Sequence, residues 1–482
     1  MTDMTSIKKN FLYNVGYQIL VIVLPLITAP YVSRTLGANA VGIYSYTYSV
    51  AYYFLIIAML GIANHGNRSV AAVRNNKMKL SQTFWNIYGI QFVCYSIAIV
   101  IYIGYIFFFV SDHKTISLIQ IIYIISGMFD ISWLYFGLEQ FKLTVLRNFL
   151  IKIGTIVCIF TFVHTSEDLW KYTLIMSLGT LFSQLYLWAY VKRYVFICKP
   201  KFNEIKKELS SIFILFVPVI AYSLYKVMDK IMLGNLSTYE QVGFYQNAEK
   251  IIDIPMGFIT ALGTVMLPRT SNLIANGDKD KSKNYIRISV KFVTLMTSAI
   301  AFGLMGVAHV FAPVFYGEEF IACGNIIELL SITVFFIGWA NVIRTQYLIP
   351  QHLDKVYLVS TAVGAVANLC INAWLIPRFD AIGAAIGTIA AEGLVFFVQI
   401  IFVWKALPVP KYIIKDIPVI VIGFLMMLGV RKIGGMFEIS VYLLVIQIIV
   451  GALFFFIAIL GYWMISKDDL GEITIKTIKK KI

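Results

Sequence analysis

Six ionisable residues, Lys226, Asp229, Lys230, Glu249, Lys250 and Asp253, crowd the ends of two successive apolar runs. Lys226 and Lys230 are four apart, as are Glu249 and Asp253, and on a helix that spacing puts each pair on one face. Two readings fit. Three cations and three anions line a polar wall that meets a charged head group and closes as an ion-paired gate, or they neutralise one another at helix ends whose long stems snorkel to the interface. Glu392 lies deeper, near the middle of an apolar run, where a charge costs about 2.5–3.5 kcal/mol or more to insert. A carboxyl group there either carries a coupling proton or cation, or is a protonated acid bonded to a neighbouring helix. Asp130 offers the same pair of readings. Arg34 and Arg344 carry planar guanidinium forks suited to two phosphate oxygens at once; Arg34 serves equally as an anchor at the membrane interface.

The elements that must position these groups are apolar throughout. Of the 482 residues, 59% are hydrophobic and 13% charged, where a soluble domain carries about 25% charged. Mean hydropathy is +0.80. A bilayer core needs roughly 20 apolar residues per helix, and about 14 such runs can be read. They are 11–33, 43–63, 84–110, 116–136, 149–163 and 169–190, then 211–233, 244–267, 286–311, 325–348, 356–376, 382–404, 417–430 and 439–465. Lys8 and Lys9 precede a first run too long for a secretory signal and without a small-x-small cleavage site, so it is expected to stay as a helix. Pro25 and Pro30 interrupt its hydrogen-bond ladder, as a structural kink or as a bend that gates. Gly383 and Gly387 read as a close helix contact.

Cations sort by side. With the N-terminus inside, roughly 30 of the 40 lysines and arginines fall in inner loops and tails, 6 outside and 4 within runs, which places both termini in the cytoplasm. The net charge of +15 is therefore topological rather than a nucleic-acid face. Val41, Gly42, Tyr44 and Arg68 recur as Val242, Gly243, Tyr245 and Arg269, an offset of about 200 residues that spans six runs. An even number makes the copies parallel. The expected fold is all-α and polytopic: a six-helix bundle in 1–190, a basic linker in 191–209, a second bundle in 210–404, and two extra helices with a basic tail in 405–482.

Five scattered histidines and five unpatterned cysteines suggest neither a metal cage nor a disulfide framework, and no Walker-type phosphate loop occurs. Loops are too short for an enzyme domain. The expectation is a transporter without a catalytic centre or cofactor, apart from a coupling proton or sodium ion.

Lys9-Asn10 with Leu24-Pro25, Pro30-Tyr31-Val32-Ser33-Arg34-Thr35-Leu36-Gly37, Asp229-Lys230-Ile231-Met232-Leu233-Gly234 with Val242-Gly243-Phe244-Tyr245, Met266-Leu267-Pro268-Arg269, and Pro377-Arg378-Phe379-Asp380-Ala381-Ile382-Gly383 resemble motifs of the Wzx-type oligosaccharide flippases. These belong to the polysaccharide transporters of the multidrug/oligosaccharidyl-lipid/polysaccharide exporter superfamily, and the resemblance runs over essentially the whole chain. It implies paired bundles with alternating access in a bacterial cytoplasmic membrane. The implied substrate is an undecaprenyl-diphosphate-linked repeat unit of O-antigen, capsule or exopolysaccharide, with the polymerase and chain-length regulator as further partners. On that basis Arg34, Lys226, Asp229, Lys230, Lys250 and Arg344 are diphosphate or sugar candidates, and Asp130 and Glu392 are ion-coupling candidates. A cation-coupled multidrug exporter of the same superfamily and a membrane-embedded glycan polymerase are the competing readings.

Overall fold

The computed structural model describes residues 4–200, 212, 216, 223 and 227–466, with no side chains for 4–23 and 25. Lys226, the linker beyond Pro200 and the tail beyond Ser466 lie outside the described residues. Contacts divide the chain into two compact units, Met1–Gly234 and Asn235–Ile482.

Among the described residues the long apolar runs become helix, because only internal hydrogen bonds satisfy a backbone in hydrocarbon. The first unit holds α1 (Met4–Met59), α2 (Ile62–Val73), α3 (Lys77–Phe109), α4 (Lys114–Met128), α5 (Ser132–Gly137), α6 (Phe141–Phe162), α7 (Leu169–Val191) and the described end of α8 (227–236). The second holds α9 (Tyr239–Ala275), α10 (Lys279–Tyr316), α11 (Cys323–Leu330), α12 (Thr333–Ile343), a π turn (Arg344–Leu348), α13 (Asp354–Val403), α14 (Val409–Lys415), α15 (Ile417–Gly434) and α16 (Val441–Ser466). α1 leaves helical geometry at Gly37 (φ 79°, ψ 170°) and α13 at Asp380 (φ 50°, ψ −131°), so each contains two helices. Among the described residues 11 stretches are long and apolar enough to cross a membrane. Asp354–Val403 holds two of the runs read from sequence, Leu26–Val73 holds run 43–63 and the end of run 11–33, and run 211–233 falls mostly outside the described residues.

The order of packing recurs in the two units. In the first, the second half of α1 meets α4 through Tyr48 and Tyr123, α3 packs on α4, and α4 and α6 both pack on α7. In the second, α9 packs on α11, α10 on α11, and the α12 ring of Trp339 meets Phe396 in the second half of α13. Moving six runs along the chain carries each contact onto its counterpart, and Tyr44 against Tyr172 maps onto Tyr245 against Thr388. α15 and α16 pack on α10 and on each other, outside that scheme.

Large apolar side chains face outward, among them Phe108 at 85% and Ile465 at 87% exposure, while amides and hydroxyls such as Gln91, Gln346, Asn368 and Asn372 are buried. That is the pattern of a protein whose solvent is lipid and whose helices are joined by small and polar groups.

Candidate functional site

In the first unit, α8 brings Asp229 and Lys230 against α1. Both are buried, at 2% and 9% exposure, and each has interaction partners. Lys230 acts electrostatically on the Tyr48 phenol and Asp229 on that of Tyr53. The Tyr53 hydroxyl donates to the Ser223 carbonyl at 3.0 Å. Gly234 lies in the last turn of α8 where no larger residue fits, since a Cβ there would overlap the Tyr46 ring.

Around Lys230 stands a set of tyrosines that the sequence reading did not single out. Tyr44, Tyr48 and Tyr52, spaced four apart, stack with ring centroids 5.8 and 6.1 Å apart. Tyr172 of α7 meets Tyr44 edge-on at 4.8 Å, and Tyr123 of α4 lies 4.8 Å from Tyr48 with the two hydroxyls 3.0 Å apart. The signal was present in Tyr44-Ser45-Tyr46-Thr47-Tyr48-Ser49-Val50-Ala51-Tyr52-Tyr53, where the spacing marks one helical ridge. Arg34 is exposed one turn before the Gly37 break and has interaction partners of its own.

Asp130 belongs to a different place. Run 116–136 is not one helix: it breaks between α4 and α5, and the Asp130 carboxylate accepts the Ser132 backbone N–H at 2.9 Å. Buried Gln91 of α3 closes the gap, donating to the carbonyls of Gly127 (2.9 Å), Met128 (3.3 Å) and Asp130 (2.8 Å) and accepting from the Trp133 indole (3.1 Å). Arg147 donates to Ser132 and Gln184 beside it.

The second unit holds Lys250, Arg344 and Glu392. Glu249 and Lys250 are half-buried and Asp253 exposed on α9, and all three have partners. Arg344 opens the π turn, a departure from α-helical register that is frequent at functional sites. Its guanidinium donates to the Tyr357 hydroxyl at 3.3 Å and lies over that ring at 5.4 Å, and its buried Nε has no hydrogen-bond partner among the described residues. Glu392 is buried at 5% in the second half of α13, has partners, and belongs to a hairpin whose halves approach closely. A Cβ on Gly383 would come within 2.6 Å of the Leu375 carbonyl, and one on Gly364 within 3.1 Å of the Ala391 carbonyl. Gly383 and Gly387 thus serve packing. Asn372 donates to Asn368 at 3.2 Å, and Gln399 to Ser360 at 3.4 Å, along the same hairpin.

The described residues thus unite Asp229 and Lys230 with the tyrosines of the first unit, and place Asp130 in a separate helix break. Arg344 is engaged with Tyr357, and Glu392 is buried in the second half of α13. Among the described residues no group of three or more His, Cys, Asp or Glu could hold a metal ion.

Comparison with known proteins gives a consistent picture. The chain is 24% identical over 408 residues to the "Putative O-antigen transporter" of Escherichia coli (strain K12), covering 83% of this chain and 98% of that protein. It is 23% identical over 207 residues to the "Probable low-salt glycan biosynthesis flippase Agl15" of Haloferax volcanii, 42% of each chain. Among solved structures, the lipid II flippase MurJ in an inward closed conformation superposes with a TM-score of 0.77 at 14% identity, over 95% of this chain and all of that one. An inward-facing multidrug resistance transporter of the MATE family, within the MOP superfamily, gives 0.60 at 14% identity, over 81% and 95%. At that identity the structures speak to the fold, a polytopic helical one. Residues 7–274, more than half of the chain, match the family described as polysaccharide biosynthesis protein, and the chain belongs to that family.

Proposed function

We propose that this protein is a polysaccharide flippase that moves undecaprenyl-diphosphate-linked oligosaccharide repeat units from the cytoplasmic to the outer leaflet by ion-coupled alternating access. The observation that carries the reading is a set of ionisable side chains in a protein whose outer surface is apolar: buried Lys230 and Glu392, and half-buried Arg344. A sugar diphosphate cannot cross hydrocarbon unaided, because unpaired charge and unbonded hydroxyls are each costly there. Replacing its water requires cations and polar groups at membrane depth. Arg344 fits the diphosphate well, since its Nε is buried without a partner and it forms no ion pair with a carboxylate among the described residues. Lys230 is the corresponding cation of the first unit, with Arg34, Lys250 and Lys226 as further candidates. The named relatives, transporters and a flippase, support the same direction of function.

Coupling to a proton or sodium ion is assigned to Glu392, with Asp130 as second candidate. The cation distribution supports a cytoplasmic location for both termini, and the substrate class supports the bacterial inner membrane, with the polymerase and chain-length regulator as downstream partners. The decisive experiment follows labelled lipid-linked repeat unit in proteoliposomes. Transfer to the outer leaflet should accelerate with protein present, respond to an imposed proton or sodium gradient, lose that response in Glu392→Gln, and slow in Arg344→Gln. Equal transfer rates with and without the protein would overturn the proposal.

A further inference from the structure

We infer that the Tyr44-Tyr48-Tyr52 ladder, with Tyr123 and Tyr172, is a stacking platform for the sugar rings next to the diphosphate; this rests on the flippase reading above. Three observations lead there. The first is chemical economy. A phenol buried in a lipid-bounded helix bundle must satisfy its hydroxyl, and phenylalanine or leucine would fill the same space without that cost. Five tyrosines nonetheless converge from α1, α4 and α7, with the three on α1 half-buried rather than sealed in the core. Such a surface presents flat apolar faces with hydroxyls at their rims. A pyranose has the complementary form: an apolar C–H face ringed by hydroxyl donors and acceptors.

The second observation is the neighbour. Ile231, next to Lys230 on α8, packs against the same cluster as Tyr48 and Tyr52, so a buried cation lies beside the ladder. In a lipid-linked oligosaccharide the first sugar is bonded directly to the diphosphate. A cation beside an aromatic stack reproduces that order, anion then ring, on a single unit of the protein.

The third is the run of the surface. Tyr44 lies one turn beyond Ala40 on the same ridge, and Tyr172 lies one turn beyond Leu169 on α7. Ala40, Ile43, Leu169 and Trp170 line a cavity of about 490 Å³ to which Asn39 and Glu167 add polar groups. The Tyr44 end of the ladder therefore adjoins a pocket with an indole, an amide and a carboxylate, which suits the more distal sugars.

Binding tests the platform. The protein in nanodiscs is titrated with undecaprenyl diphosphate alone and with undecaprenyl diphosphate carrying its own repeat unit, isolated from a host lacking the polymerase. Wild type should bind the glycosylated lipid about tenfold more tightly than the bare one, the expectation for two or three ring stacks partly offset by ordering. Tyr48→Leu combined with Tyr52→Leu should abolish the preference while leaving affinity for the bare lipid unchanged, which also shows that the variant is folded. Should the double variant fail to fold, Tyr52→Leu alone must lower the preference in the same direction. Tyr48→Phe should keep most of it, and Lys230→Gln should weaken both ligands alike. A preference that survives Tyr52→Leu, or a loss shared equally by both lipids, overturns the platform alone. Wild-type protein that binds neither lipid overturns the flippase reading and the platform together.

Discussion

Gln91 in the first unit and Gln346 in the second are equally buried, at 0% exposure, and their surroundings treat them in opposite ways. The Gln91 amide donates to three carbonyls across the α4–α5 break and accepts from the Trp133 indole. Neither the Nε2 nor the Oε1 of Gln346 has a hydrogen-bond partner among the described residues. An amide buried in an apolar interior without a partner costs several kcal/mol. Gln91 offsets that cost by satisfying a broken backbone. Gln346 does not, and it sits in the π turn that Arg344 opens. A polar group unpaired in one conformation favours any other conformation that pairs it. The first unit's amide secures a fixed element, then, while the second unit's lies where a change of register would be rewarded.

The largest effect should come from breaking the secured side. Gln91→Leu strands the Met128 and Asp130 carbonyls and the Trp133 N–H, two buried groups and one half-buried at about 1 kcal/mol each, so a loss of about 2–3 kcal/mol is expected. Thermal unfolding in detergent, followed by tryptophan fluorescence, measures it; a loss under about 1 kcal/mol would mean that side-chain packing, not the amide, holds the break closed. Next is Gly66→Ala, whose Cβ would come within 2.6 Å of the Trp133 ring. The indole cannot shift without losing Gln91, and overpacking of that kind costs about 2 kcal/mol. Gly257→Ala in α9 is the control, with no heavy atom within 4 Å of the added methyl. It should be neutral or gain up to about 1 kcal/mol from helix propensity. Equal losses at both glycines would dissolve the contrast. Trp133→Phe follows at about 1–2 kcal/mol, since it removes one donor and leaves the Gln91 Oε1 unpaired.

Legibility in the sequence follows the same divide. Apolar runs are a local property, and they were enough for the helices and their polytopic order. The breaks at Gly37 and Asp380 fall in the polar gaps between runs 11–33 and 43–63 and between 356–376 and 382–404, so they could be read as loops. The break at Asp130 could not. Run 116–136 is apolar on both sides of it, and what stabilises it is an amide 39 residues away on another helix. Arg344 was visible as a cation in a run, but the π turn and the Tyr357 partner depend on packing that no spacing encodes. The tyrosine ladder was legible in its own i, i+4 pattern; its meeting with Tyr123, Tyr172 and Lys230 was not. The contact-based division at Gly234 also differs from the sequence limits of 190 and 210, which rest on the repeat.

Gln346→Met sharpens the comparison with the smallest change in stability. Methionine keeps the length and nearly the volume of glutamine and removes a donor and an acceptor that this conformation leaves unpaired. The variant should therefore be as stable as wild type, or more stable by about 1 kcal/mol. Transport should move the other way. If a second conformation pairs the amide, losing it raises the cost of reaching that conformation, and a shift of about 1.4 kcal/mol would slow the cycle about tenfold. The same proteoliposome transfer assay and the same unfolding measurement read both quantities on one preparation. Stability preserved with transport reduced would place Gln346 in the moving part of the second unit. A loss of stability comparable to that of Gln91→Leu would show that the amide is bonded in the protein's resting state and that the two glutamines do the same work.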